Sequence, residues 1–224
     1  RFLGEEVGYK NFTTMGQIYS TVIERTKNLE YNGATVDAIP YIPEEVIRRI
    51  REAAKDYEIV LIELGGTAGE YQNIIYYEAY RIMKMTLPKD VILLHVTYFP
   101  APSHINELKS KPTQLSVKSL NSMGIQPDFI VGRGELEIDE KRKEKIAYYC
   151  AMNQEDIISN PDCQSIYELP LIFDRQRFSQ KVLKKLGLKA KKIALVDWRT
   201  MVKNIYTKKN KAVKIGIIAK YIAT

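Results

Sequence analysis

The chain has 224 residues, 45% of them hydrophobic, which suits one large soluble core or a domain and a half. No apolar run approaches the ~20 residues needed to cross a bilayer, residues 1–10 lack the apolar stretch of a secretory signal, and two cysteines, Cys150 and Cys163, are too few for a disulfide framework, so reduced thiols in a cytoplasm are expected. The net charge of +7 is compatible with nucleotides, nucleic acid or plain solubility; the one dense basic run, Lys208-Lys209-Asn210-Lys211, reads as a solvated linker.

In chain order, residues 16–29 carry Ile18, Val22 and Ile23 at helical spacing. Residues 35–39 read as a short strand closed by Pro40, and Pro43-Glu44-Glu45 as a helix start with proline first and acids in the opening turn. The apolar run 58–64 reads as a strand ended by Gly65-Gly66, followed by a helix over 72–85 and a strand over 91–98. A polar loop, 100–112, precedes a helix over 113–123 and a buried strand over 128–131; helices are expected over 175–186 and 191–206. The pairs Tyr76-Tyr77 and Tyr148-Tyr149 fall in predicted helices and read as core or interface. A linker over 207–211 and a terminal strand over 213–218 complete the reading, and both ends of the chain look cut. Strands that are apolar almost throughout and alternate with helices predict an α/β fold, a mostly parallel sheet with helices on both faces.

In such sheets ligands bind beyond the carboxyl ends of the strands. That edge is expected to receive Glu63 with the turn Gly65-Gly66-Thr67-Ala68-Gly69-Glu70, then Lys109, Lys111, Thr113 and Gln114, and finally Gly132-Arg133-Gly134. A carboxylate, a glycine-rich turn, two lysines and an arginine suit a phosphorylated ligand with a magnesium ion. Each piece also has a plainer reading. The Gly pair is also an ordinary turn and is not a P-loop, since no Gly-Lys-Ser/Thr follows. Glu63 inside an apolar run is a structural ion pair or a metal ligand. The two lysines stand at a helix N-terminus that attracts anions, or simply in solvent. His95 and His104 have no partner at zinc-ligand spacing, and Cys150 reads as packing.

The run Lys109-Ser110-Lys111-Pro112-Thr113-Gln114, followed by Ser116-Val117 and Gly124-Ile125-Gln126-Pro127-Asp128, resembles the Lys-Thr-Lys-Pro-Thr-Gln signature and sequel of the CTP synthases. Asn11-Phe12-Thr13-Thr14, Gly16-Gln17-Ile18-Tyr19, Gly33-Ala34-Thr35-Val36, Glu63-Leu64-Gly65-Gly66-Thr67, Glu78-Ala79-Tyr80-Arg81, Lys145-Ile146-Ala147 and Ser165-Ile166-Tyr167 fall in family order, so the resemblance spans essentially the whole chain. It implies a P-loop-NTPase-like or Rossmann-like amidoligase domain over 1–190, a helix and linker over 191–212, and over 213–224 the first strand of a glutaminase domain. It also implies a cytoplasmic ligase that makes CTP from UTP: ATP phosphorylates the uracil 4-oxygen, and ammonia released from glutamine displaces the phosphate.

By position, the resemblance makes Glu63 a magnesium ligand. It makes Lys109 and Lys111 catalytic, and it places UTP or CTP against Lys109, Ser110, Lys111, Pro112, Thr113, Gln114 and Lys145, and against Glu70, Tyr71 and Gln72. Arg133, Asp162 and Cys163 fall near the ATP base and ribose. Mg2+, ATP, UTP and CTP are thus the implied ligands, and a homotetramer, with or without filaments, the implied assembly; neither nucleic acid nor membrane is. Departures stand beside the match. Gly69-Glu70-Tyr71-Gln72 replaces Gly-Asp-Ile-Glu, which bears on CTP feedback; Met15 is an inserted residue; Ser110 replaces Thr, Asp37 Gln, Tyr41 His and Ala219 Gly. The resemblance also sets the family's phosphate-binding loop before Arg1 and its glutaminase Cys-His-Glu beyond Thr224, so this segment alone is expected to be inactive. The alternative reading is a non-catalytic UTP/CTP-binding relative acting as a sensor or filament subunit.

Overall fold

The computed structural model describes residues 6–102, 104, 107–189, 195–207, 214 and 216. Three helices come first: α1 (Met15–Lys27), α2 (Ala38–Ala54) and α3 (Ile74–Thr86). Then strands and helices alternate: β1 (Leu94–Tyr98), α4 (Lys111–Ser122), β2 (Phe129–Gly134), α5 (Glu140–Tyr149), β3 (Ile157–Pro161), α6 (Leu169–Arg175), α7 (Phe178–Lys185) and α8 (Val196–Tyr206). The strands form one parallel sheet in the order β1-β2-β3. Each crossover is a helix, as parallel pairing requires. Val117 of α4 and Ile146 of α5 pack with Phe99, Leu108, Ile130 and Ile157 on one face. Phe173 of α6 and Phe178 and Val182 of α7 pack against Phe129, Val131 and Ile158 on the other. The α/β reading with both faces covered therefore holds for β2 and β3.

Local sequence explains most boundaries. Thr14 opens α1 with a reciprocal capping box: the Gln17 N–H donates to Thr14 Oγ1 at 3.3 Å and the Thr14 N–H to Gln17 Oε1 at 3.0 Å. The helix stops at Lys27 rather than Leu29, because Leu29 (φ 58°) has turned left-handed. Gly33 (φ 80°) then completes the turn region, a conformation natural to glycine. Residues 35–39 form no strand. Pro40 forces Ile39 into extended geometry (φ −115°, ψ 127°) at a kink, and α2 runs on from there. Pro43 is thus inside the helix rather than at its first position; counted from the kink it is the fourth residue, where a missing N–H is still harmless.

Further expectations are corrected. Residues 58–64 form no strand, and Ile59, Val60, Leu61 and Ile62 are exposed; an apolar run carries no information about which strand it pairs with, and among the described residues none pairs with it. β1 is an edge strand with one open face, on which Leu94, Val96 and Tyr98 are exposed while His95 and Thr97 are buried. Gly132-Arg133-Gly134 belongs to β2 itself rather than to a following loop. The helix expected over 175–186 begins only at Phe178, after Arg177 in the left-handed region (φ 54°, ψ 34°), and Arg175 instead closes α6, which the sequence reading did not contain. β3 has no counterpart in the sequence reading. Tyr148 and Tyr149 are exposed in the chain, which excludes the core half of the core-or-interface reading, whereas Tyr76 packs against the α1–α3 cluster. Residues 190–194, where the 1–190 boundary falls, lie outside the described residues, as does nearly all of the expected linker and terminal strand.

Gly132 shows how tightly the sheet is closed under the site. A Cβ there would meet Ile138 Cδ1 at 2.4 Å and Phe99 Cε2 at 2.5 Å. Gly132→Ala is expected to destabilise the fold by about 1–3 kcal/mol through overpacking, seen as a lower urea midpoint with an unchanged m-value.

Candidate functional site

Because the strands are parallel, their carboxyl ends lie on one edge, and that edge receives the lysine signature. After β1 the chain continues into Phe99, whose N–H donates to the Arg133 carbonyl at 2.7 Å, and the loop returns so that the Lys109 N–H donates to the Pro100 carbonyl at 2.9 Å. α4 then starts at Lys111, with Pro112 in its first turn. Within the signature the side chains divide by role. Thr113 is fully buried, with its hydroxyl 3.2 Å from that of Thr97, and Ser110 is buried and accepts from Gln114 Nε2 at 3.1 Å. The Thr113–Thr97 contact fastens α4 to β1, and the Ser110–Gln114 bond closes the first turn of α4. Lys111 and Pro112 are exposed and Lys109 partly so, leaving the two ammonium groups beside a helix N-terminus, where the macrodipole favours anions. His95 also serves the fastening: its Nε2 lies 2.7 Å from Ser116 Oγ, and burial lowers its pKa, favouring the neutral ring.

α5 packs beside α4 and carries Lys145, exposed and one residue before buried Ile146. One turn earlier, Arg142 reaches back to the signature loop, its Nε donating to the Leu108 carbonyl at 3.1 Å and its Nη2 3.0 Å from Glu107 Oε1. Glu107 Oε2 is 3.1 Å from Lys109 Nζ. Sequence reasoning passed over both Glu107 and Arg142. Arg142 was detectable as the residue three before Lys145, on the same helical face.

The Gly65–Gln72 turn is organised around Glu70. Its carboxylate accepts from the Thr67 hydroxyl at 2.8 Å, from Gln72 Nε2 at 2.9 Å and from the Thr67 N–H at 3.1 Å, and these bonds hold its pKa below the usual carboxylate range. Gly66 (φ 89°) adopts backbone geometry that favours glycine, and a Cβ there would lie 2.5 Å from Glu70 Oε2 and 2.6 Å from Asn73 Nδ2, so a side chain would push the Glu70 carboxylate out of this arrangement. A Cβ on Gly69 would lie 3.0 Å from Ser119 Oγ, so the turn rests against α4. Tyr71 is almost fully exposed. Gln72, in place of the carboxylate the resemblance would put there, is one of the donors that hold Glu70.

On the sheet face opposite α4, Tyr98, Arg133 and Asn160 are register partners and form a row across the three strands. Arg133 is exposed. Asn160 Oδ1, which sequence reasoning did not single out, is buried without a hydrogen-bond partner among the described residues. The Asp162 N–H donates to the Gly134 carbonyl at 2.8 Å, and the Cys163 thiol to the Ser165 carbonyl at 3.2 Å. Burial, then the nearby Glu168 and Asp162 charges, push that thiol's pKa up, so it is no activated nucleophile. Arg133 and Asp162 therefore share the edge with the lysine signature. Glu63 does not arrive there on a strand: it is an exposed carboxylate on the unpaired 58–64 segment. Among the described residues no group of three or more His, Cys, Asp and Glu side chains stands ready for a metal, and no helix is long and apolar enough to cross a membrane.

A parallel α/β sheet that gathers cations and a helix N-terminus at its carboxyl edge is the architecture on which α/β domains bind phosphorylated ligands; the glycine turn rests instead against Ser119, about two turns along α4 from Lys111. Residues 1–188 match the family described as "CTP synthase N-terminus". The chain is 43% identical over 223 residues to the CTP synthase of Pyrococcus furiosus, covering 99% of this chain and 41% of that relative. It is 41% identical over 223 residues to the CTP synthase of Bdellovibrio bacteriovorus (99% and 42%) and 39% identical over 225 residues to that of Pelodictyon phaeoclathratiforme (99% and 40%). The chain belongs to the CTP synthase family, and it spans about two-fifths of the length of these curated relatives.

Proposed function

We propose that this chain provides the nucleotide-binding surface of a ligase that aminates UTP to CTP with ATP, drawing ammonia from glutamine. The observation that carries the reading is the placement of Lys109 and Lys111 at the N-terminus of α4, on the sheet edge that also bears Arg133 and Asp162. UTP phosphates and the developing charge on the uracil oxygen fall to Lys109, Lys111 and Lys145, with Gln114 orienting the pyrimidine. Ser110, Pro112 and Thr113 form the support beneath them, and Glu70, Tyr71 and Gln72 provide the neighbouring pyrimidine contact, where CTP also binds. ATP lies across Arg133, Asp162 and Cys163. Hydrogen bonds and charges already in place when charge develops need no reorganisation at that moment, which is how such groups accelerate phosphoryl transfer.

Glu63 suits a magnesium ion held chiefly by nucleotide phosphates, because Mg2+ takes one or two carboxylates and completes its octahedron with phosphate oxygens and water. When bound, such an ion neutralises charge on the transferred phosphoryl group. The same reading includes a homotetramer and a glutaminase domain in the longer polypeptide.

The test uses the complete polypeptide that contains this segment. CTP should form from UTP, ATP, Mg2+ and ammonia, with no product when either nucleotide is omitted. UTP binding without turnover under those conditions would instead support a nucleotide-sensing relative. Salt-sensitive binding to long RNA or DNA, indifferent to UTP, would remove both readings.

A further inference from the structure

Arg142 is held from two sides by groups the fold itself supplies. Its Nε donates to the Leu108 carbonyl, and its Nη1 pairs with Asp139, the residue that caps α5 by accepting the Arg142 N–H at 2.8 Å. The remaining nitrogen, Nη2, meets Glu107 Oε1 at 3.0 Å, and the other oxygen of the same carboxylate meets Lys109 Nζ at 3.1 Å. One carboxylate thus bridges two cations with one oxygen each, in the way a phosphate group bridges a guanidinium and an ammonium.

The loop does not depend on that bridge. Leu108 is buried in the core, its carbonyl is tied to Arg142, and the Lys109 N–H is tied to Pro100. The Glu107 side chain is half exposed, whereas that of Arg142 is only 24% exposed. The cations are therefore placed by the fold, and the carboxylate between them is the displaceable partner. Lys145, at i+3 from Arg142, extends the same face of α5.

Building on the UTP site proposed above, we propose that Arg142 is a further phosphate-binding residue of that site, and that the Glu107 carboxylate occupies the phosphate position between Arg142 and Lys109 until the nucleotide displaces it. A competing internal anion weakens binding, so removing its charge has the opposite sign from removing a structural contact.

The experiment is calorimetric titration of UTP, without ATP, into the complete polypeptide. Glu107→Gln is expected to tighten UTP binding about two- to fivefold, the scale of exposed ion pairs. Glu107→Asp, which keeps the charge, should bind like the parent. Arg142→Ala should weaken UTP binding about tenfold, with Arg142→Lys recovering part of the loss. If E107Q binds UTP no more tightly than the parent while Lys109→Ala weakens binding, the carboxylate is structural and this inference fails alone. If Lys109→Ala leaves UTP binding unchanged, the UTP site itself is misplaced. Parent-like thermal melting of E107Q and E107D confirms that the comparison is between folded proteins.

Discussion

Lys111→Ala in the complete enzyme is expected to lower kcat/KM for UTP by about 10²–10³, the loss typical of removing one preorganised donor from a developing charge. That corresponds to about 3–4 kcal/mol of transition-state stabilisation. The expectation rests on where the side chain starts. Lys111 is the first residue of α4, its neighbours Ser110 and Thr113 are buried and bonded, and Pro112 sets the entry angle. The ammonium group is exposed and makes no ion pair among the described residues, unlike Lys109. Nothing in the fold needs Lys111, so thermal stability should be unchanged while CTP formation collapses. Lys111→Arg should restore only part of the rate, since a planar fork does not reproduce a point charge. A loss below tenfold would place the reacting nucleotide elsewhere.

Glu45→Ala is expected to destabilise the protein by about 3–5 kcal/mol, because breaking a buried ion pair from one side leaves uncompensated charge. Glu45 of α2 is 2% exposed, yet it accepts from Arg48 Nε at 2.7 Å and Nη2 at 2.8 Å, from Arg49 Nε at 2.8 Å, and from Arg25 Nη1 of α1 at 3.0 Å. Burial alone would raise its pKa. Hydrogen bonds from Arg48 and Arg49, with the charges of Arg48 and Arg25, outweigh burial and bring it from 4.5 down to about 2. The folded-state value lies below the unfolded one, so the stabilisation is complete above about pH 4.5 and is lost as pH falls towards 2. Urea midpoints of the parent should drop across that window, and those of the Ala variant should drop less. A parent-like midpoint for Glu45→Ala at neutral pH would show that the three arginines find solvent without cost.

The corrections have a common origin. The apolar run 58–64 and the strand β1 both read as buried, and both expose large side chains. Hydrophobicity specifies what must be covered; the covering element is non-local. β3 escaped notice because a five-residue strand ending in Ser159-Asn160-Pro161 carries too few apolar residues to stand out. Pro40 and the left-handed Arg177 moved helix boundaries by backbone sterics, which apolar periodicity does not report.

For the candidate site, residue types were legible and their partners were not. The signature from Lys109 to Gln114, the glycine turn and Arg133 could be named from residue order alone, because cations and glycines suited to phosphate are set by residue type; Asp162 entered only through the family resemblance. Only the folded chain shows that Thr113 faces the core while Lys111 faces solvent, that Glu70 organises its own turn, and that Glu107 joins Lys109 to Arg142. The sequence by itself determined the α/β class, the signature and the family. Tertiary structure decided which signature residues face solvent and which carboxylate sits between the cations, because side-chain direction and long-range pairing depend on packing between elements distant in the chain.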